Sequence, residues 1–185
     1  MSHSNLPRIL VLASIMIGSL SLTMPRNAPA MPAEAQSRAG NGDRLDRVGR
    51  EKVAYLLAAG DIAACGEPHA RKTAALLKSL PGTVATLGDN AYEQGSREEF
   101  STCYDPAWGD EKRRTKPAAG NHEYETPGAR GYFGYFRAAA GSQQTGYYSY
   151  DLGTWHIIVL NSNCGEIGGC EADSRQGRWL MVAHG

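Results

Sequence analysis

Three short strings pair a glycine with an oxygen-bearing metal ligand: Gly60-Asp61, Gly88-Asp89 and Gly120-Asn121. A single Gly-Asp is an ordinary turn or helix cap. Three of them, spaced 28 and then 32 residues apart from Asp61 to Asp89 to Asn121, match the length of a βαβ unit, which returns the chain to the same edge of a sheet. Ligands of open α/β sheets bind outside the carboxyl ends of the strands, so the spacing predicts that all three strings meet on one rim. Each glycine lets the backbone turn sharply and aim the next side chain there. Asp61 and Asp89 would bring anionic oxygen, Asn121 a neutral amide oxygen, and Tyr92, three residues past Asp89, a phenolate. A carboxylate shared between two cations holds them about 3.5 to 4 Å apart, which suits in-line displacement at phosphorus. Asp89, central in the order, is the natural bridge.

The elements that must position these residues follow from the hydrophobic pattern. Residues 53–59 form a continuous apolar run closed by Gly60, as in a strand buried on both faces. A helix is predicted over 68–80, where Thr73, Leu76, Leu77 and Leu80 recur at helical spacing before Pro81-Gly82. Residues 83–87 read as a second strand, completing a βαβ unit. Ser96 and Glu99 make a capping box for a helix over 96–104, limited by Pro106. Residues 115–119 are a third strand by their position before Gly120. An aromatic stretch, 131–140, reads as helical; 146–151 and 154–161 read as two strands joined at Leu152-Gly153, the second being the strongest strand signal in the chain. A last helix is expected over 173–184, with Trp179, Val182 and Ala183 on its buried side. The clusters Tyr132, Phe133, Tyr135, Phe136 and Tyr147, Tyr148, Tyr150 read as core and hairpin packing before they read as the lining of a substrate groove.

Composition bounds the function. With 19 Lys+Arg against 19 Asp+Glu and 42% apolar residues among 185, the chain is not a disordered tail, and it offers no bulk electrostatic case for nucleic acid. Residues 1–35 read as a signal peptide: Arg8 supplies the positive start, 9–24 carry no charge, Pro25 ends the run, and Ala28-Pro29-Ala30 and Ala33-Glu34-Ala35 are small-residue cleavage patterns. The run is shorter than the roughly 20 apolar residues of a spanning helix, so no stable membrane span is expected after cleavage and the protein is expected to be secreted or extracytoplasmic. A flexible lead-in, 36–50, precedes the patterned domain, 51–185. Export makes Cys65, Cys103, Cys164 and Cys170 disulfide candidates. Four cysteines allow three connectivities; the Gly-rich loop between Cys164 and Cys170 accommodates a local bridge, which would leave Cys65 with Cys103. Spacing of the zinc-knuckle type is absent, as is a G-x-G-x-x-G dinucleotide fingerprint after the first strand.

Gly60-Asp61, Gly88-Asp89-Asn90-Ala91-Tyr92 and Gly120-Asn121-His122-Glu123 resemble the first three blocks of the calcineurin-like metallophosphoesterases, in the purple acid phosphatase branch, over residues 53 to 185. The resemblance implies an α/β fold, the N-terminal part of an αββα two-sheet sandwich. It implies that Asp61, Asp89 and Tyr92 bind a first metal, with Asp89 bridging to a second metal that Asn121 also binds. His122 would face the substrate phosphate, stabilising charge or protonating the leaving oxygen, while Glu123 orients it from behind. A phenolate favours trivalent iron in the first position, with iron, zinc or manganese in the second. The implied reaction is hydrolysis of a small-molecule phosphate ester by attack of a metal-bound hydroxide.

The family pattern continues with one His after a later strand and a Gly-His-x-His block. The remaining histidines of the patterned chain, His69, His156 and His184, match neither. The expectation is therefore an incomplete metallophosphoesterase domain. The alternative reading is a catalytically incompetent exported fragment, or a binding module of the same fold, that lacks the later histidine ligands.

Overall fold

The computed structural model describes residues 8–13, 53–142 and 145–184. The expected lead-in lies outside these residues, as does the expected signal peptide apart from residues 8–13. The chain is mixed α/β. Its first sheet has the order β2 (Leu56–Ala59), β4 (Thr83–Leu87), β6 (Thr115–Ala118), all parallel. A two-stranded parallel ladder joins β3 (Ala63–Ala64) to β5 (Ala91–Tyr92) just past the ends of β2 and β4. The second sheet has the order β1 (Arg8–Ala13), β8 (Trp155–Leu160), β7 (Tyr148–Leu152), with β1 parallel and β7 antiparallel to β8. Residues 8–13, which the sequence places within a leader, thus form a strand along one edge of β8.

The βαβ reading holds, with two adjustments. β4 occupies the centre of its sheet and buries Val84, Ala85 and Thr86. β2 is an edge strand: it was expected to be buried on both faces, but Leu56, Leu57 and Ala59 are half-buried and Ala58 is exposed. An apolar run has the same appearance at a sheet's edge as at its centre. Helix α1 (His69–Ser79) turns Ala70, Ala74 and Leu77 inward, whereas Thr73, Leu76 and Leu80, expected on the same face as Leu77, are exposed. The small alanines admit Trp108, whose indole N–H donates to the Ala70 carbonyl at 3.0 Å. At the C-terminal end of α1, Arg114 donates to the carbonyls of Leu77, Leu80 and Gly82 at 2.7, 3.0 and 2.8 Å. A guanidinium there meets the negative end of the helix dipole and the last orphan carbonyls.

Pro106 does not stop the helix begun at the capping box. α2 (Arg97–Glu99) continues as a π turn (Phe100–Tyr104), as α3 (Asp105–Trp108) and as a 3-10 stretch (Gly109–Arg114). The wider π turn reorganises the carbonyls ahead of the proline, so Pro106 falls in the first turn of the segment that follows, where a missing N–H costs little. The stretch delivers Phe100, Tyr104 and Trp108 to the core, against Tyr132, Phe133 and Phe136 of α5 (Arg130–Phe136). Ring centroids within this cluster lie 5.0 to 6.2 Å apart, mostly edge to face, an arrangement that suits the ring quadrupoles.

The hairpin β7–β8 forms as expected. β8 buries Ile157, Ile158 and Val159, and Tyr148 Oη donates to the Pro117 carbonyl in β6 at 2.8 Å, tying the second sheet to the first. Helices α6 (Cys164–Ile167) and α7 (Arg175–His184) follow; on α7 Trp179 is half-buried, but Val182, expected on the buried side, is 87% exposed. Both disulfides are present, Cys65–Cys103 and Cys164–Cys170. Among the described residues no helix is long and apolar enough to cross a membrane.

Candidate functional site

The carboxyl ends of β2, β4 and β6 share one rim, and the three Gly-Asx strings lie there as the spacing predicts. At the first two, the residue after glycine carries the turn. Asp61 has φ 54° and Asp89 φ 49°, left-handed values uncommon for a residue with a Cβ. Backbone bonds hold these turns together: Asp61 and Ile62 donate to the carbonyls of Gly88 and Asp89 at 3.3 and 2.9 Å. The β3–β5 ladder then pairs Ala64 with Tyr92 and fixes the tyrosine's register.

The side chains converge. Tyr92 Oη donates to Asp61 Oδ1 at 2.5 Å and lies 3.3 Å from Asp89 Oδ2. The other oxygen of Asp89, Oδ1, accepts from the His122 backbone N–H at 3.2 Å. Asp89 therefore faces Asp61 and Tyr92 with one oxygen and the Asn121-His122 turn with the other. Gly120 makes that approach possible: a Cβ there would overlap Asp89 Oδ1 and the Asp89 backbone nitrogen. Asn121 opens the short helix α4 (Asn121–Tyr124) on the same rim.

The His122 ring packs edge-on against Tyr92, with centroids 4.5 Å apart, and its Nδ1 sits 2.5 Å from the carbonyl of Glu93. A carbonyl can only accept, so the proton belongs on Nδ1 and Nε2 is the acceptor in the neutral ring. Glu123 does something other than hold this ring. Its carboxylate is fully buried and accepts four backbone N–H bonds: Gly120 at 2.6 Å, Asn90 at 2.7 Å, Asp89 at 3.1 Å and Ala91 at 3.4 Å. It clasps the loop after β4 to the loop after β6. Burial pushes its carboxyl up to about 7, against the pull of the Gly120 and Asn90 N–H groups, and the charge of Asp89 adds to the rise. Burial, the hydrogen bond to Asp61 and the charges of both aspartates likewise hold the Tyr92 phenol well above its ordinary value.

Two carboxylates and a phenol packed within hydrogen-bonding distance form an all-oxygen donor set with excess negative charge. Such a set fits a hard cation, which would displace the phenolic proton. The second oxygen of Asp89 and the amide of Asn121 fit a second cation less completely. Neither His69 nor His156 joins His122 at this rim: His156 Nδ1 pairs with Asp151 at 2.6 Å, and His69 lies 3.6 Å from Glu67 on the surface. Among the described residues no three or more His, Cys, Asp and Glu side chains gather to hold a metal, at this rim or elsewhere; the rim brings two carboxylates together with a phenol.

Several supporting residues carry no local sequence signal. Asn90, fully buried, donates from Nδ2 to the Ala118 carbonyl at 2.9 Å and ties β4 to β6. Asn163 Nδ2 donates to the Gly120 carbonyl at 3.3 Å. Glu99 has a signal in the capping box, which forms as expected, and its carboxylate also accepts from the N–H groups of Glu93 and Gln94. The capping box thereby orders the turn whose carbonyl holds His122. Compared with protein-family models, curated proteins and solved structures, the chain matches none.

Proposed function

We propose that the protein is an extracytoplasmic phosphoesterase of the calcineurin-like metallophosphoesterase type, in the purple acid phosphatase branch, hydrolysing small-molecule phosphate esters with two metal ions. The observation that carries the reading is the meeting of Asp61, Asp89 and Tyr92 at the carboxyl ends of parallel strands, with His122 against Tyr92. Asp61, Asp89 and Tyr92 would hold iron; Asp89 and Asn121 would hold iron, zinc or manganese. When bound, such cations activate water and neutralise charge on the phosphoryl oxygens.

The chain's own residues supply the rest. Glu93 fixes the ring of His122 through Nδ1–H, so Nε2 is the atom that, once protonated, gives its proton to the departing alcohol oxygen. Glu123 keeps the two loops at a constant separation, so Asp89 and Asn121 stay in register. Two disulfides support an oxidising, extracytoplasmic setting.

A second reading is a catalytically incompetent module of the same fold that binds a single metal through Asp61, Asp89 and Tyr92. The engagement of His156 with Asp151 and of His69 with Glu67, away from the rim, favours it. Hydrolysis of a chromogenic phosphate ester by the metal-reconstituted chain separates the two. Turnover that Asp89→Ala abolishes is the expected result; turnover equal in wild type and Asp89→Ala, or none at all, refutes the enzymatic reading.

A further inference from the structure

A groove of about 520 Å³ runs between the helical stretch that starts at Arg97 and helix α5. None of the residues placed at the metal rim lines it. Three cations do, Arg97, Lys112 and Arg137, against one carboxylate, Asp105. Asp105 is already engaged, since the Tyr135 hydroxyl donates to its Oδ1 at 2.5 Å. Three nearby acids are committed elsewhere: Asp110 to Lys78 at 2.6 Å, Glu111 to Arg114 at 2.6 Å, and Glu99 to the backbone of residues 93–96. The groove therefore keeps a surplus of positive charge.

Its cations are also placed. Lys112 Nζ lies 3.8 Å from the centroid of Tyr135, so the ring face holds the ammonium over the groove. Arg137 sits at the end of α5 with φ 51° and ψ −127°, a conformation natural to glycine and disfavoured for any residue with a Cβ. Strain of this kind persists where the surrounding structure enforces it, and it recurs at ligand sites. Gly131, whose Cβ would collide with the Gly95 carbonyl, lets α5 close on the 95–97 turn and brings Arg97 alongside.

We propose that this groove is an anion site, built to take a soluble, multiply charged oxyanion of the pyrophosphate type between Arg97, Lys112 and Arg137. Charge-assisted N–H bonds to phosphoryl oxygen are the strong class of hydrogen bond, and guanidinium groups match that geometry in bidentate fashion.

The test titrates inorganic pyrophosphate into the full chain, stripped of metal, at low salt and follows the heat of binding. Saturable binding of one pyrophosphate per chain is expected. It should weaken about tenfold or more in Arg97→Gln, as loss of one charge-assisted bond implies, and by a similar factor in Arg137→Gly, whose melting temperature should equal or exceed that of the wild type because the backbone strain is relieved. Asp89→Asn should bind unchanged. Absence of saturable binding, wild-type affinity in both Arg97→Gln and Arg137→Gly, or loss of binding in Asp89→Asn would each overturn the proposal. The last result would leave the phosphoesterase reading untouched and assign the oxyanion to the metal rim.

Discussion

Gly120 and Asp89 are packed so closely that one methyl group decides the geometry of the rim. Gly120→Ala would drive its Cβ into Asp89 Oδ1 and the backbone behind it, with neither able to retreat while Glu123 holds the Asp89 and Gly120 N–H groups. Metal affinity should fall about 10- to 100-fold, the range for losing a partner that orients a ligand, as read by competition with a chromogenic chelator. Tyr92 gives a spectroscopic counterpart. The iron-loaded chain should absorb in the visible through phenolate-to-iron(III) charge transfer, and Tyr92→Phe should lose the band. A band that survives the substitution would remove Tyr92 from the ligand set. The placement of Asp61, Asp89, Tyr92 and Asn121 on one rim was legible because the βαβ period is written in spacing. The clasp by Glu123 and the carbonyl of Glu93 were not, because their partners lie about 30 residues away and are backbone groups that every residue carries.

Among the elements, the capping box of α2 has two tasks. Glu99 caps the helix through Ser96 and also gathers the N–H groups of Glu93 and Gln94. Glu99→Ala should cost about 1 kcal/mol of stability, as for other lost caps, measured by urea denaturation. It should also lower kcat with little change in metal content, since the His122 ring loses its ordered acceptor. A normal kcat in a destabilised Glu99→Ala would show that the turn is ordered without the cap. Ser96 and Glu99 announced that helix start in the sequence. Its course beyond Pro106 was hidden, because a proline is read as a stop and the π turn that accommodates it has no periodicity of its own. The β3–β5 ladder was hidden for a related reason: two residues per strand are too few to show alternation, yet that ladder sets the position of Tyr92.

For the molecule as a whole, the two disulfides differ in reach. Cys65–Cys103 spans 38 residues and Cys164–Cys170 spans 6. In the chain-entropy description, removing the first costs about 4 kcal/mol and the second about 2 kcal/mol. Reducing agent should therefore lower the melting temperature, and Cys65→Ser/Cys103→Ser should account for most of the drop. No change on reduction would argue that neither bridge stabilises the folded chain. The first bridge fastens the end of β3 to the π turn, beside the ladder that carries Tyr92, so its loss should weaken metal binding as well as stability. Elemental analysis of the metal-reconstituted chain beside Asp89→Ala tests most directly whether cations bind at the rim of the β2–β4–β6 sheet. Two metal ions per wild-type chain and fewer than one in Asp89→Ala is the predicted result; less than one ion per wild-type chain, or equal content in the two proteins, would contradict it.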